Sequence, residues 1–198
     1  MPRHRRAATA RSGGGGSSRW RPAARVTPAL VAALIATLAA ACSATLDWRE
    51  VRPPGADLVA LFPCRPHELA RTVPLAGRSV RMSLHACTAG GLTWALAVAP
   101  LGDPTLVTPA LEALRRAAAV NVGATGGATP HALQVRGATP NAASGREELH
   151  GRLADGSVVV EQLALFTRGT IVYQATVLGA QLPVEAADTF FGALKVGA

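Results

Sequence analysis

The sequence predicts an α+β domain over residues 55–198, with a mainly antiparallel sheet packed by helices. Three observations lead there. Apolar residues alternate in several stretches joined by tight-turn signals, the mark of hairpin-connected strands. Two other stretches carry apolar residues at helical spacing. The elements run strands, helix, strands, helix, so strands and helices come in blocks rather than in βαβ units.

The apolar run Leu58-Val59-Ala60-Leu61-Phe62 opens the domain and ends at Pro63-Cys64-Arg65-Pro66. Leu69–Leu75 and Arg78–Cys87 flank Ala76-Gly77, a hairpin signal. In the second of these strands Val80, Met82, Leu84 and Ala86 alternate with Arg81, Ser83 and His85, which predicts one core face and one polar face. Leu92–Ala99, with Trp94 and Leu96, is apolar or small on both faces and predicts a central strand. Asp103-Pro104 marks a loop. Thr108-Pro109 then predicts a helix start, with Thr as N-cap and Pro in the first turn. Val107, Leu111, Leu114 and Ala118 define its buried stripe, and Gly123 its stop.

Residues 121–145 are rich in Gly, Ala, Thr and Pro. The stretch Gly123–Gly127 lacks the Lys-Ser/Thr ending of a phosphate loop and reads as a plain loop. Ala132–Arg136 predicts a short edge strand. Arg146–Leu153 meets Ser157–Phe166 through Asp155-Gly156, and Arg168-Gly169 leads to Thr170–Leu178, a three-stranded meander. Pro183–Leu194 closes the chain as a helix with Leu182, Ala186, Phe190 and Leu194 on one face.

Composition bounds the function. Of 198 residues, 49% are hydrophobic and 16% charged, which excludes general disorder. The formal net charge of +8 belongs to the N-terminal end. Seven arginines precede position 26, whereas all twelve acidic residues follow position 46. From Cys42 onward there are 13 basic against 12 acidic residues. A nearly neutral domain has no electrostatic footprint for nucleic acid, and that partner is excluded.

The first 41 residues have the layout of an export signal: a basic region, an apolar heart over Pro28–Ala41, then small residues. Fourteen helical residues span about 21 Å, short of a bilayer core of about 30 Å. The run ends Leu38-Ala39-Ala40-Ala41-Cys42-Ser43, which resembles a bacterial lipobox. In that family the cysteine is acylated and becomes the new N-terminus, which implies lipidation of Cys42. Ala39 stands where Leu is common. Ser43 implies outer-membrane rather than inner-membrane delivery. An uncleaved Val26–Leu46 would instead form an inner-membrane signal anchor. Residues 42–54, ending Arg52-Pro53-Pro54-Gly55, read as a lipidated cysteine and linker, in which Trp48 packs back on the domain.

With Cys42 lipidated, Cys64 and Cys87 remain as an even pair in an oxidising compartment. A disulfide closing a loop of this length would stabilise by about 3 kcal/mol. Buried thiols or a metal site with His85 are the alternatives. No CxxC is present and a fourth ligand is lacking, so no metal or cofactor is expected.

Residues 55–198 resemble the PsbP-like fold, an α/β/α sandwich shared by the photosystem extrinsic subunit, Ran-binding Mog-type proteins and many bacterial lipoproteins. The resemblance rests on Leu61-Phe62-Pro63, Gly145-Arg146-Glu147, Gly169-Thr170-Ile171-Val172-Tyr173-Gln174 and the Phe190-Phe191 helix. It implies a scaffold that docks on larger assemblies and carries no catalytic residues. The residues agree. His67, His85, His131 and His150 are scattered without a catalytic motif, and Glu147 and Glu148, being adjacent, face opposite sides of a strand. Tyr173 reads as a core residue, and Arg146-Glu147 as a cross-strand ion pair. The expected function is a lipid-anchored, non-catalytic, periplasm-facing domain of the cell envelope that supports or binds a protein assembly. The alternative is a small-ligand carrier with a cleft between sheet and helix lined by Met82, Leu84 and Trp94. At about 145 residues the domain needs no oligomer to fold.

Overall fold

The structure, a computed structural model, describes residues 46–124 and 130–197. The signal segment 1–41, the lipidation candidate Cys42 and the loop residues 125–129 lie outside the described residues.

Six strands form one antiparallel sheet in the order β3-β4-β5-β8-β7-β6. They are β3 (His67–Leu75), β4 (Arg78–Ala89), β5 (Leu92–Pro100), β6 (Gly145–Arg152), β7 (Val158–Arg168) and β8 (Ile171–Gly179). A second sheet, in the order β1-β2-β9, joins Arg49–Val51, Leu58–Phe62 and Lys195–Val196. Two helices, α1 (Val107–Asn121) and α2 (Val184–Gly192), complete the domain. The α+β class and the antiparallel pairing are as the turn signals predict.

Strand alternation builds two cores from one sheet. Trp94, Leu96, Tyr173, Ala175, Val177, Ala164 and Phe166 point to the face covered by α2 and the small sheet. Ala99, Val172, Leu163, Leu165 and Val159 point to the other, under Val107, Ala110, Leu111, Leu114 and Ala118 of α1. The large sheet therefore carries a helix on each face. Phe190 of α2 packs edge-on against Phe62 and Trp94, with ring centroids 5.3 and 5.5 Å away.

The turns follow local chemistry. Ala76 and Gly77 take φ of 50° and 76°, the left-handed pair of a two-residue hairpin. In the β6–β7 turn the Asp155 carboxylate accepts from the Ser157 backbone at 2.9 Å and from its hydroxyl at 2.6 Å. Gly151 lets the end of α1 sit on β6, since a Cβ there would strike the Val122 carbonyl oxygen.

Four expectations need correction. The linker is not wholly a tether: Arg49–Val51 pairs antiparallel with Ala60–Phe62, because Pro53 and Gly55 turn the chain back. Ala132–Arg136 is no strand; it is held by single bridges, His131 with Arg146 and Arg136 with Lys195. The α1 region starts earlier than Thr108. Asp103 caps a 3-10 turn, Pro104–Leu106, by accepting from Thr105, and Val107 continues directly into the helix. Pro104 provides the preset φ expected of Pro109. Finally, β4 changes its buried face along its length. Val80 is buried beneath α1, while His85 and Cys87 are buried on the opposite face under the small sheet.

Candidate binding groove

A groove of about 320 Å³ opens between α1 and the β3–β5 edge of the large sheet. Its origin is a size mismatch. On this flank α1 presents Ala113, Ala117 and Ala118, and β5 contributes Ala97 to the floor. These short side chains cannot fill the space between helix and sheet. Met82 and Leu84 of β4 line it, with Leu69 and Arg71 from the edge strand β3. Leu69 is 58% exposed, an unusual setting for leucine on a strand. The polar groups at the groove are the Arg71 guanidinium and the side-chain amides of Asn121 and Gln174.

Met82 and Leu84 thus lie in a cleft between sheet and helix, but Trp94 does not. Register gives the reason: Leu84 stands opposite Ala97, whereas Trp94 stands opposite Cys87, on the other face. Trp94 is fully buried, donates its indole N–H to the Ala89 carbonyl at 3.1 Å, and meets Trp48 edge-on at 5.7 Å. Trp48 therefore packs on the domain.

Beneath the groove a buried polar chain runs from Gln174. Its amide donates to Thr176 Oγ1, which donates to Glu161 Oε1, each at 3.3 Å. Burial pushes the Glu161 carboxyl up to about 7, the Thr176 hydrogen bond opposes this, and the Glu147 charge adds to it. Glu147, 2% exposed, accepts from Arg115 at 2.7 Å, and Arg115 also donates to the Ala143 carbonyl at 2.9 Å. The expected Arg146–Glu147 pair is therefore absent. Alternation sends Arg146 to the opposite face, where it donates to Gln162 and Asp188 and covers the Phe191 ring at 4.4 Å. Glu147 and Glu161 were accessible to sequence reasoning, since both fall in the apolar phase of their strands, with Leu149 and with Val159 and Leu163.

The sulfurs of Cys64 and Cys87 lie 1.98 Å apart with Cα atoms at 6.1 Å, a disulfide that ties the β2–β3 loop to β4. Tyr173 is fully buried, stacks on Phe166 at 4.9 Å and donates its hydroxyl to the Ala56 carbonyl. His67, His131 and His150 are exposed and His85 is buried. Among the described residues no three His, Cys, Asp or Glu side chains gather as a metal site. No helix among them is long and apolar enough to cross a membrane.

A scan against protein-family models finds no match, and a search of curated proteins finds no significant match.

Proposed function

We infer that the chain is a lipid-anchored, non-catalytic domain of the cell envelope, related to the PsbP-like fold, that binds a protein partner along β3. The observation that carries this reading is the pairing of an open sheet edge with an apolar groove. β3 ends the sheet order, so among the described residues no strand pairs with its outer edge, which can receive an added strand. Leu69 and Arg71 sit on that strand at the lip of the groove, beside Met82 and Leu84. An extended peptide would gain backbone hydrogen bonds from β3 and place alternate side chains in the groove. The groove's polar groups are a guanidinium and two amides, which orient a ligand and do not move protons at neutral pH. A helix on each face of the sheet supports the PsbP-like relation. The export layout and lipobox resemblance support lipidation at Cys42, and Ser43 supports the outer membrane.

Photocrosslinking from position 69 in intact envelopes tests this reading. It predicts one discrete protein adduct, lost when Leu84→Arg fills the groove of a still-folded protein. Adducts indifferent to Leu84→Arg would contradict it. A second reading, a small apolar ligand, is favoured by one observation: the volume falls at the lower end of small-molecule sites, roughly 300–1,000 Å³. Native mass spectrometry would then find a small co-purified mass that Leu84→Arg removes.

A further inference from the structure

A second pocket, of about 400 Å³, lies away from the groove, where β1 and the turn after it meet the β2–β3 loop. Three guanidiniums line it, those of Arg49, Arg52 and Arg65, with the carboxylates of Glu50 and Glu68 and the ring of His85. The charges fall into two sets. Arg49 is paired with Asp47, and Arg52 with Glu50 at 2.9 Å. Arg65 and Glu68 have no ion-pair partner among the described residues, although they line the same pocket. Arg65 follows the disulfide-bonded Cys64, and Glu68 stands in register opposite His85 on β4.

His85 forms the inner wall. It is 4% exposed, and its Nε2 has no hydrogen-bond partner among the described residues. Burial lowers its pKa, against the raising influence of Glu68, so the ring is neutral at pH 7 and can donate one hydrogen bond. That nitrogen is sealed from solvent, so a ligand oxygen reaches it only when the pocket wall shifts, and the cost of leaving it unpaired favours such a shift.

We propose that this pocket binds a zwitterion of the phosphoethanolamine type, with its phosphate on Arg65 and His85 and its ammonium on Glu68. An anion alone would leave Glu68 facing like charge, and a cation alone would leave Arg65 so. A ligand carrying both charges gives each of these two side chains an opposite charge. Phosphate suits the anionic end because it offers several oxygens to the fork of a guanidinium. A phospholipid and a free solute both carry this headgroup, and the chemistry recognised is the same. Arg49 is only seven residues beyond Cys42, at most about 25 Å of extended chain.

The test is calorimetric titration of the full chain in detergent with O-phosphoethanolamine and with dihexanoyl-phosphatidylethanolamine. Saturable binding of at least one is expected, with a shift of the His85 ring resonances at saturation. Arg65→Gln and Glu68→Gln, both at exposed positions, are each expected to weaken it at least fivefold, whereas Arg116→Gln on α1 leaves it unchanged. Tighter binding of the lipid identifies a membrane source, and equal binding a free solute; both support the site. The dihexanoyl glycerol and choline analogues, which lack a primary ammonium, are expected to bind at least fivefold more weakly. No saturable binding, equal binding of those analogues, or indifference to Arg65→Gln would overturn the proposal. O-Phosphoethanolamine needs neither the groove nor the anchor to reach the pocket, so failure here is separate from failure of either.

Discussion

Replacing Glu161 by Gln isolates the electrostatic cost of the carboxylate buried under α1. Glu161 is 5% exposed, and burial raises its carboxyl from 4.5 to about 7. The folded state therefore holds this proton where the unfolded chain releases it. The associated stability is full below about pH 4.5, declines as pH rises, and is gone above about pH 7. At 1.36 kcal/mol per pH unit, the difference between the two values amounts to about 3 kcal/mol. Gln keeps an oxygen for the Thr176 hydroxyl and has no proton to lose. Glu161→Gln is thus expected to match the wild type near pH 4.5 and exceed it by up to about 3 kcal/mol at pH 8. Urea unfolding of both proteins across this range, with the disulfide intact, reads the difference directly. His85 moves stability the other way: its lowered pKa favours the fold above about pH 6.5 and is lost below. That contribution is common to both proteins and cancels. A gap that does not change with pH, or a Gln variant less stable at pH 8, would refute the reasoning.

Other expectations follow from the same structure. Arg115→Ala strands the Glu147 carboxylate and should cost about 3–5 kcal/mol, whereas the double change Arg115→Met with Glu147→Met should be close to neutral; chemical denaturation of the set separates the two. Replacing Cys64 and Cys87 together by Ala should lower stability by about 3 kcal/mol, since the bond closes a loop 23 residues long in sequence separation; the same loss should appear in wild type on adding reductant. Ala76→Asn should stabilise by roughly 0.5–1 kcal/mol, because Ala76 is held at φ 50° and Asn tolerates that region better; a thermal midpoint that falls would contradict this.

The large sheet was legible because its signals are local. The Ala76-Gly77 and Asp155-Gly156 turns, and the alternation of β7 and β8, specify antiparallel neighbours without knowledge of the rest. The stripe Val107, Leu111, Leu114 and Ala118 likewise identified the buried side of α1. What escaped was long-range. β1 is three residues long and forms only because β2 lies beside it. The face of β4 changes because α1 covers one end and the small sheet the other, which no pattern in β4 announces. For the groove, Met82 and Leu84 were found from their shared phase on one strand. Trp94 lies on the other face because the β4–β5 register, not composition, decides which residues share a face. The charged interior is not legible for a different reason: Arg146 is the sequence neighbour of Glu147, but its partner Arg115 lies on α1, 32 positions away.

The mass of the N-terminal peptide of the mature protein, taken from a membrane fraction, tests the central claim of a lipid-anchored envelope domain most directly. The account predicts a peptide beginning at Cys42 and carrying a diacylglyceryl group. A peptide that retains the residues before Cys42, with an unmodified thiol, would contradict it and make the apolar segment an anchor in the inner membrane.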